Sequence, residues 1–396
     1  MLGERLKQRM LYKHKRLISC AAALTVFFGM TAVFAPVSAA DVSAKAAVLI
    51  EASSGDVVFE KNADIRLPMA STTKIMTAVA ALENHSPDAV VTVNEKACGV
   101  EGSSVYLKPG EKLTMEELLY ALLLESANDA AAAIAYEVSG DIPSFAALMN
   151  ETAAKIGLTD SHFMNPHGLD CEGHYTTAHD LAKLTAYALQ NEKFREIVST
   201  YKHNIPYPGE ESGGVRVLLN HNKLLKLCDD VIGVKTGFTK KSGRCLVSAA
   251  ERDGVCLIAV TLNAPDDWND HRTMLELGFS EYSSALLADK GQFRVTIPAV
   301  GASGENGITA ENRDVLRVTV KKGDVITNRI DAPHIILTPV CEGDEVGRVV
   351  FFKNGAEIGS VPLYSAENTE IIYDKRKAKQ QRMNDNANSQ TAEVRE

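Results

Sequence analysis

The stretch Pro68-Met-Ala-Ser71-Thr-Thr-Lys74-Ile-Met-Thr-Ala-Val79 constrains this chain more than any other. Ile75, Met76, Val79 and Leu82 recur at helical spacing,. Pro68 stands just upstream, where a missing N–H costs a helix nothing. The spacing predicts a buried helix, with Ser71 and Lys74, three residues apart, on one face of it. A hydroxyl and an amine are thereby placed side by side in apolar surroundings. Serine is a poor nucleophile until a base takes its proton, and lysine is a base only when its pKa is lowered. Desolvation and a second nearby cation both lower it.

The chain has 396 residues, enough for about two domains, and a net charge of −9. That balance argues against a nucleic-acid partner, since such proteins carry a basic face. Arg5, Lys7, Arg9, Lys13, Lys15 and Arg16 precede an apolar run from Leu17 to Ala35, and Val37-Ser-Ala39 follows. This is the layout of an export signal, with cleavage expected after Ala39 or Ala40. An uncleaved anchor is the alternative, because the apolar run approaches the ~20 residues a membrane span needs. Beyond the signal lie Cys98, Cys171, Cys228, Cys245, Cys256 and Cys341, without C-x-x-C pairing or metal-ligand spacing,. Buried free thiols are the expected state, with disulfides the alternative. Arg252-Asp-Gly-Val255 marks a two-residue hairpin turn. It places Cys256 opposite Glu251 and too far from Cys245 for a bridge.

Taken in order, Ala46–Glu51 and 57–59 read as a hairpin, followed by the Ser71 helix,. Residues 89–93 suggest a strand. Residues 113–136 form the longest helical pattern, broken at Glu125-Ser-Ala-Asn-Asp129. Thr114 with Glu117 predicts a capping box for its first part, and Gly140 a stop for its second. Helices are expected at 144–156 and 177–190, and a loop at Asn165-Pro-His-Gly168. A strand is expected at 231–239, a hairpin from 246–250 and 255–262, and a closing helix at 272–287. Short strands follow at 293–297, 315–320, 335–337, 345–352 and 357–361. The order predicts an α+β domain with a central antiparallel sheet flanked by helices, then a small all-β domain. The boundaries expected are a signal at 1–40, a catalytic domain at 41–288, a β-domain at 289–366 and a polar, disordered tail at 367–396.

Three motifs stand in sequence: Ser71-x-x-Lys74, Ser126-x-Asn128 and Lys235-Thr-Gly237. Lys-Thr-Gly alone should occur by chance in about one such chain in ten. All three in this order and setting are far rarer. Their chemistry fits together. Ser71 Oγ would attack a carbonyl, Lys74 would take its proton, and Ser126 would relay that proton to a leaving amine. Asn128 would hold Lys74 and the substrate amide. Lys235 would depress the Lys74 pKa and attract a substrate carboxylate, with the Thr236 hydroxyl beside it. Gly237 leaves room for a substrate along the strand. The N–H groups of Ser71 and Phe238 are the natural oxyanion donors.

Each residue also has a blander reading. Ser71 and Lys74 are compatible with a helix serine and a solvated lysine, Asn128 with a cap for the helix from Ala130, and Lys235 with an exposed edge-strand lysine. His167 and His174 fit a turn better than a metal site, and no metal or cofactor is expected. Arg272 is a candidate for a terminal carboxylate, with a surface role the default. Asp129 and Glu125 read as surface or supporting charges.

The three motifs, with Met69-Ala-Ser-Thr-Thr-Lys74, Asn165-Pro-His-Gly-Leu169 and Val234-Lys-Thr-Gly-Phe-Thr239, resemble those of the penicillin-recognising serine acyl-transferases,. Within that superfamily the chain is similar to the low-molecular-mass penicillin-binding proteins, serine-type D-alanyl-D-alanine carboxypeptidases of peptidase family S11. The resemblance spans about residues 41–365. It implies a β-lactamase/transpeptidase-like fold and removal of the terminal D-alanine from peptidoglycan stem pentapeptides. It also implies covalent acylation by β-lactams and a place outside the cytoplasm, at the membrane, at the wall or secreted. Two departures bear on it. The segment 367–396 has no convincing apolar face for membrane attachment, which leaves the basic run 375–382 as the candidate contact with anionic lipid or wall polymer. The Glu-x-x-Leu-Asn context of class A β-lactamases is missing between Asn128 and Lys235. A β-lactamase and a non-enzymatic β-lactam or muropeptide sensor are the alternatives.

Overall fold

The computed structural model describes residues 41–207, 214–300 and 307–369. The export signal lies outside the described residues, as does the tail from residue 370. Among the described residues no helix is long and apolar enough to cross a membrane.

The chain opens with β1 (Ala46–Glu51) and β2 (Val57–Lys61). A 3-10 turn at Ala70–Thr73 then leads into α1 (Lys74–Asn84). Next come β3 (Val90–Thr92) and β4 (Lys112–Thr114), then α2 (Met115–Leu123), α3 (Asn128–Ser139), α4 (Ile142–Ile156), α5 (Ala178–Ala188) and α6 (Glu192–Ser199). A hairpin of β5 (Lys202–Tyr207) and β6 (Gly214–Leu219) follows, then the single turn α7 (Leu224–Leu227). The section closes with β7 (Val231–Thr239), β8 (Gly243–Arg252), β9 (Val255–Leu262) and α8 (Asp267–Glu281).

The central sheet has the order β2-β1-β9-β8-β7, with every pairing antiparallel. This is the α+β architecture expected. Strand β7 is an edge, and the 3-10 turn bearing Ser71 packs against it and β8. In the β8–β9 hairpin Glu251 faces Cys256, as the turn signal requires.

Every residue of α1 from Lys74 to Ala81 is buried. Helices α2, α3, α4, α5 and α6 surround it, the setting a helix apolar on all sides demands. Burying Ile75 or Met76 contributes roughly 1.5–3 kcal/mol each. Burying a charged lysine costs several kcal/mol, so the same helix favours a neutral Lys74. The capping box at Thr114 and Glu117 is present, and α3 begins three residues after the break at Glu125.

After α8 the chain is all strand: β10 (Tyr282–Ala288), β11 (Arg294–Ile297), β12 (Ala299–Val300), β13 (Ile308–Asn312), β14 (Leu316–Lys321), β15 (Ile326–Asp331), β16 (Ile336–Leu337), β17 (Glu345–Lys353) and β18 (Ala356–Ser365). Five of these form the sheet β11-β13-β18-β17-β15. Its core includes Ile297, Val349, Phe351, Val361 and Leu363. Glu367 and Thr369 remain fastened, the first to the Thr309 N–H and the second to Val340.

Three sequence expectations need correction, and several elements had none. The closing helix is not 272–287. It starts at Asp267, with acids in its first turn, and ends at Glu281, after which β10 pairs with β14. Pairing across the sheet overrides the weak helical preference of Ser283–Ala288. Among the described cysteines all are free, but only Cys245 is buried, and Cys171 and Cys341 are exposed. Asn128 does not cap α3. Ala127 holds that position, because the Asn128 side chain is committed elsewhere. The β5–β6 hairpin, α6, β13 and β15 had no reading from sequence.

Candidate active site

Ser71 lies in the 3-10 turn before α1. The residue ahead of it, Ala70, has φ +48°, and Ser126, in the α2–α3 break, has φ +60°. Left-handed backbone at a non-glycine residue is uncommon and clusters at functional sites. Both motif serines are therefore presented by backbone that regular helix would not allow.

The Lys74 Nζ makes three contacts: Ser71 Oγ at 3.0 Å, Asn128 Oδ1 at 2.7 Å and the His167 carbonyl at 2.6 Å. Two of these partners are carbonyl oxygens and only accept. A neutral amine has two N–H donors and one lone pair. Its donors go to Asn128 and His167, which leaves the lone pair for the Ser71 hydroxyl. Burial lowers the Lys74 pKa well below its ordinary value, the Lys235 charge lowers it further, and buried Asp129 partly opposes them. Both the geometry and the electrostatics thus favour a neutral amine aimed at Ser71.

Loop 165–168 buttresses this arrangement. The Pro166 carbonyl accepts from Thr77 Oγ1 at 2.6 Å, and Asn165 Oδ1 accepts from the Gly168 N–H at 2.7 Å. A Cβ on Gly168 would stand 2.0 Å from the Ala70 carbonyl oxygen, so only glycine fits. His174 Nδ1 accepts from the Met164 N–H at 3.0 Å, and its Nε2 lies 2.8 Å from Thr73 Oγ1. Burial pulls the pKa of His167 to about 3 and that of His174 to about 4. Both act as neutral braces on the loop. Sequence reasoning saw a turn here and missed that its main chain holds Lys74. The clustered Asn, Pro and Gly beside two histidines were the available signal.

Asn128 Nδ2 donates to the Glu101 carbonyl at 2.6 Å. Asp129 is fully buried rather than at the surface. Its carboxylate accepts from Ser104 Oγ and from the N–H groups of Val105 and Leu107. Together they lash loop 101–107 to the start of α3. Glu125 accepts from the Leu219 N–H at 2.6 Å and lies 3.1 Å from His221 Nε2, tying the end of β6 to the α2–α3 break.

Lys235 is 1% exposed, not a solvent-facing edge lysine. Burial lowers its pKa to about 7, against the opposing pull of Glu125. Its Nζ donates to the Thr236 carbonyl at 3.0 Å. A Cβ on Gly237 would meet Ser71 N at 3.1 Å, so β7 runs directly along the turn that carries Ser71. That contact brings the N–H-bearing backbone of Ser71 and of Phe238 to one place.

Ser71, Ser126, Thr236, Gly237 and Phe238 line one cleft of about 330 Å³ with Ser103, His221, Lys223, Arg244 and Trp268. Lys74 and Asn128 lie behind its wall. Arg272 is elsewhere, in a separate cavity of about 670 Å³ with Asp230 and Arg252. Among the described residues no group of three or more His, Cys, Asp or Glu side chains stands ready for a metal.

Comparison with known proteins shows the family. Residues 33–266 match the D-alanyl-D-alanine carboxypeptidase family, and residues 282–370 match the C-terminal domain of penicillin-binding protein 5. The D-alanyl-D-alanine carboxypeptidase DacF of Bacillus subtilis is 33% identical over 335 residues, covering 82% of this chain and 85% of the relative. DacC of Escherichia coli is 31% identical over 383 residues, covering 89% and 91%. Among solved structures, DacD of Francisella tularensis superposes with a TM-score of 0.60 at 28% identity, covering 86% of this chain and 96% of that one. The Streptomyces K15 DD-transpeptidase superposes with a TM-score of 0.58 at 31% identity, covering 62% and 100%.

Proposed function

Because the chain belongs to the D-alanyl-D-alanine carboxypeptidase family, we propose that Ser71, Lys74 and Ser126 carry out its reaction. The protein is a serine-type D-Ala-D-Ala carboxypeptidase acting on peptidoglycan, a low-molecular-mass penicillin-binding protein of family S11. Peptidoglycan peptides and β-lactams are its ligands, and it works outside the cytoplasm.

In the proposed reaction Ser71 Oγ attacks the carbonyl carbon of the penultimate D-alanine of a stem pentapeptide, and Lys74 takes the hydroxyl proton. The N–H groups of Ser71 and Phe238 receive the oxyanion; one such donor is worth about 10²–10³-fold in rate. The C–N bond then breaks, and the proton passes from Lys74 through Ser126 to the departing D-alanine amine. Asn128 keeps Lys74 in register and meets the substrate amide. In the second half Lys74 takes a proton from water, and the resulting hydroxide attacks the ester. The Ser71 C–O bond breaks and Lys74 returns the proton to Ser71. Edge strand β7 offers Lys235, Thr236 and Gly237 to a peptide lying alongside as an added strand. Penicillin stops after the first half, as a covalent adduct on Ser71.

The observation that carries this reading is the Lys74 amine, with two acceptors satisfied and its third position 3.0 Å from Ser71 Oγ. Domain limits at 41–288 and 289–366 fit it, as does a position at the extracytoplasmic face of the cell membrane, at the wall or secreted. The test is intact mass after penicillin treatment, with D-alanine release from diacetyl-Lys-D-Ala-D-Ala. One penicillin on Ser71 and release of D-alanine are expected, and both vanish in Ser71→Ala. Undiminished release in that variant sinks the mechanism. Fast penicillin turnover without peptide cleavage marks a β-lactamase instead, and stable acylation without release marks a sensor.

A further inference from the structure

Among the C-terminal strands, β12 and β16 form a small parallel ribbon with apolar residues on both of its faces. Ala299 stands beside Ile336, and Val300 beside Leu337. The Ile336 N–H donates to the Pro298 carbonyl at 2.9 Å, and the Thr338 N–H to the Val300 carbonyl at 3.2 Å. Side chains alternate between faces along a strand. Ala299 and Ile336 share the inner face and pack on the C-terminal core. Val300 and Leu337 share the outer face, and Ile335 comes just before the ribbon. These three are 55%, 73% and 58% exposed. A sheet face turned to water ordinarily carries polar residues. Scattered exposed aliphatics need no explanation, but three at one ribbon make a patch.

The chain comes back to this place before it leaves the described residues. The Thr369 N–H donates to the Val340 carbonyl at 2.8 Å, and the Val340 N–H donates to Thr369 Oγ1 at 3.0 Å. Val340 is three residues beyond Leu337. The basic run Lys375-Arg-Lys-Ala-Lys-Gln-Gln-Arg382 begins six residues after Thr369 and holds five cations and no acid. Six residues of chain span at most about 20 Å. The run therefore starts near the aliphatic patch whatever path the link takes.

We propose that this end of the β-domain is a membrane-contact site. Val300, Ile335 and Leu337 enter the headgroup region of an anionic bilayer, and the cations of 375–382 hold its headgroups. The two features supply the two signals that stable attachment takes. The segment 367–396 has no convincing apolar face of its own, so insertion falls to the ribbon. A wall polyanion would use the cations and leave the aliphatic face in water. A second copy of the chain would bring two basic runs together.

The experiment is co-sedimentation of the exported chain, residues 41–396, with vesicles. One set is phosphatidylglycerol and phosphatidylcholine in equal parts, the other phosphatidylcholine alone. Wild type should pellet with the anionic set. Ile335→Ser with Leu337→Ser should lower that partition on the order of 10²-fold, from two aliphatic side chains left in water. Neutralising Lys375, Arg376 and Lys377 to Gln should lower it by on the order of 10²-fold. Val217→Ser removes an equally exposed aliphatic on β6 and should change nothing. D-Alanine release from the soluble tripeptide should be the same in all four proteins. A serine pair that partitions like wild type overturns the proposal, and so does a wild type that stays in solution with anionic vesicles. Capture on immobilised polyphosphate without vesicle binding assigns the cations to a wall polymer and overturns it too. A dimer by light scattering that the serine pair breaks, with vesicle binding intact, gives the face to a second copy instead. If urea melts show the pair unfolded, Val300→Ser decides by the same partition.

Discussion

Beneath the cleft the chain buries Lys74, Asn128, Asp129 and Lys235, whereas after Ala288 the described buried polar side chains are Asn312 and Ser365. Most ion pairs in both regions lie at the surface, Arg66–Asp160 among them, but one before Ala288 does not. Arg216 and Glu111 meet at 2.7 Å with side chains only 10% and 2% exposed. The pairs of the C-terminal strands, such as Arg329–Asp331 and Arg313–Glu342, lie at the surface. Exposed pairs are worth little, with a median of about 0–1 kcal/mol. Buried polar groups are costly unless every partner is in place. The catalytic region spends stability on a polar interior that its chemistry requires. The C-terminal strands have an apolar core with no such burden, and read as scaffold.

The sharpest way to break this contrast is to change one buried polar group and one buried apolar group. Lys74→Met should lower Ser71 acylation by about 10³-fold, the scale of a general base, measured by stopped-flow with a chromogenic β-lactam. A loss under tenfold would mean that Lys74 is only part of the packing. Phe351→Ala, in the C-terminal core, should cost about 3–5 kcal/mol of stability. It should leave kcat/KM for the tripeptide within about twofold, and urea melts with parallel assays check both. A matching collapse in activity would mean that the strands take part in catalysis.

The smallest and most diagnostic effect concerns pH. Acylation should rise with pH as Lys74 loses its proton, and fall as the buried Lys235 loses its own near pH 7. Removing Lys235 removes a cation that lowers the Lys74 pKa. In Lys235→Ala the Lys74 pKa therefore rises and the acid limb moves to higher pH, while the alkaline limb set by Lys235 disappears. The acylation rate against pH measures it. An acid limb that stays in place would show that the two amines are not coupled.

Much of this was legible before the structure. Periodicity found α1, the capping box found α2, and three motifs spread over more than a hundred and fifty residues pointed to one cleft. What was not legible depended on tertiary contact. Ser283–Ala288 pairs with β14, and no local pattern shows that partner. Asn128 was read as a partner of Lys74, which it is, but its other partner, the Glu101 carbonyl, cannot be read from its neighbours. Arg272 likewise lines a cavity apart from the motif residues, which its place in the sequence does not show. The oxygen that holds Lys74 from residue 167 belongs to the main chain and has no residue type at all.

That last contact bears on how such a protein can drift over generations. An exchange at position 167 changes the imidazole but keeps the carbonyl, which accepts from Lys74 at 2.6 Å. An exchange at position 168 adds a carbon 2.0 Å from the Ala70 oxygen and pushes the loop off the turn that carries Ser71. Selection on the Lys74 contact therefore falls on a residue that takes no part in it. In a lineage of such enzymes the glycine, rather than the histidine beside it, would be the letter that inheritance cannot afford to alter.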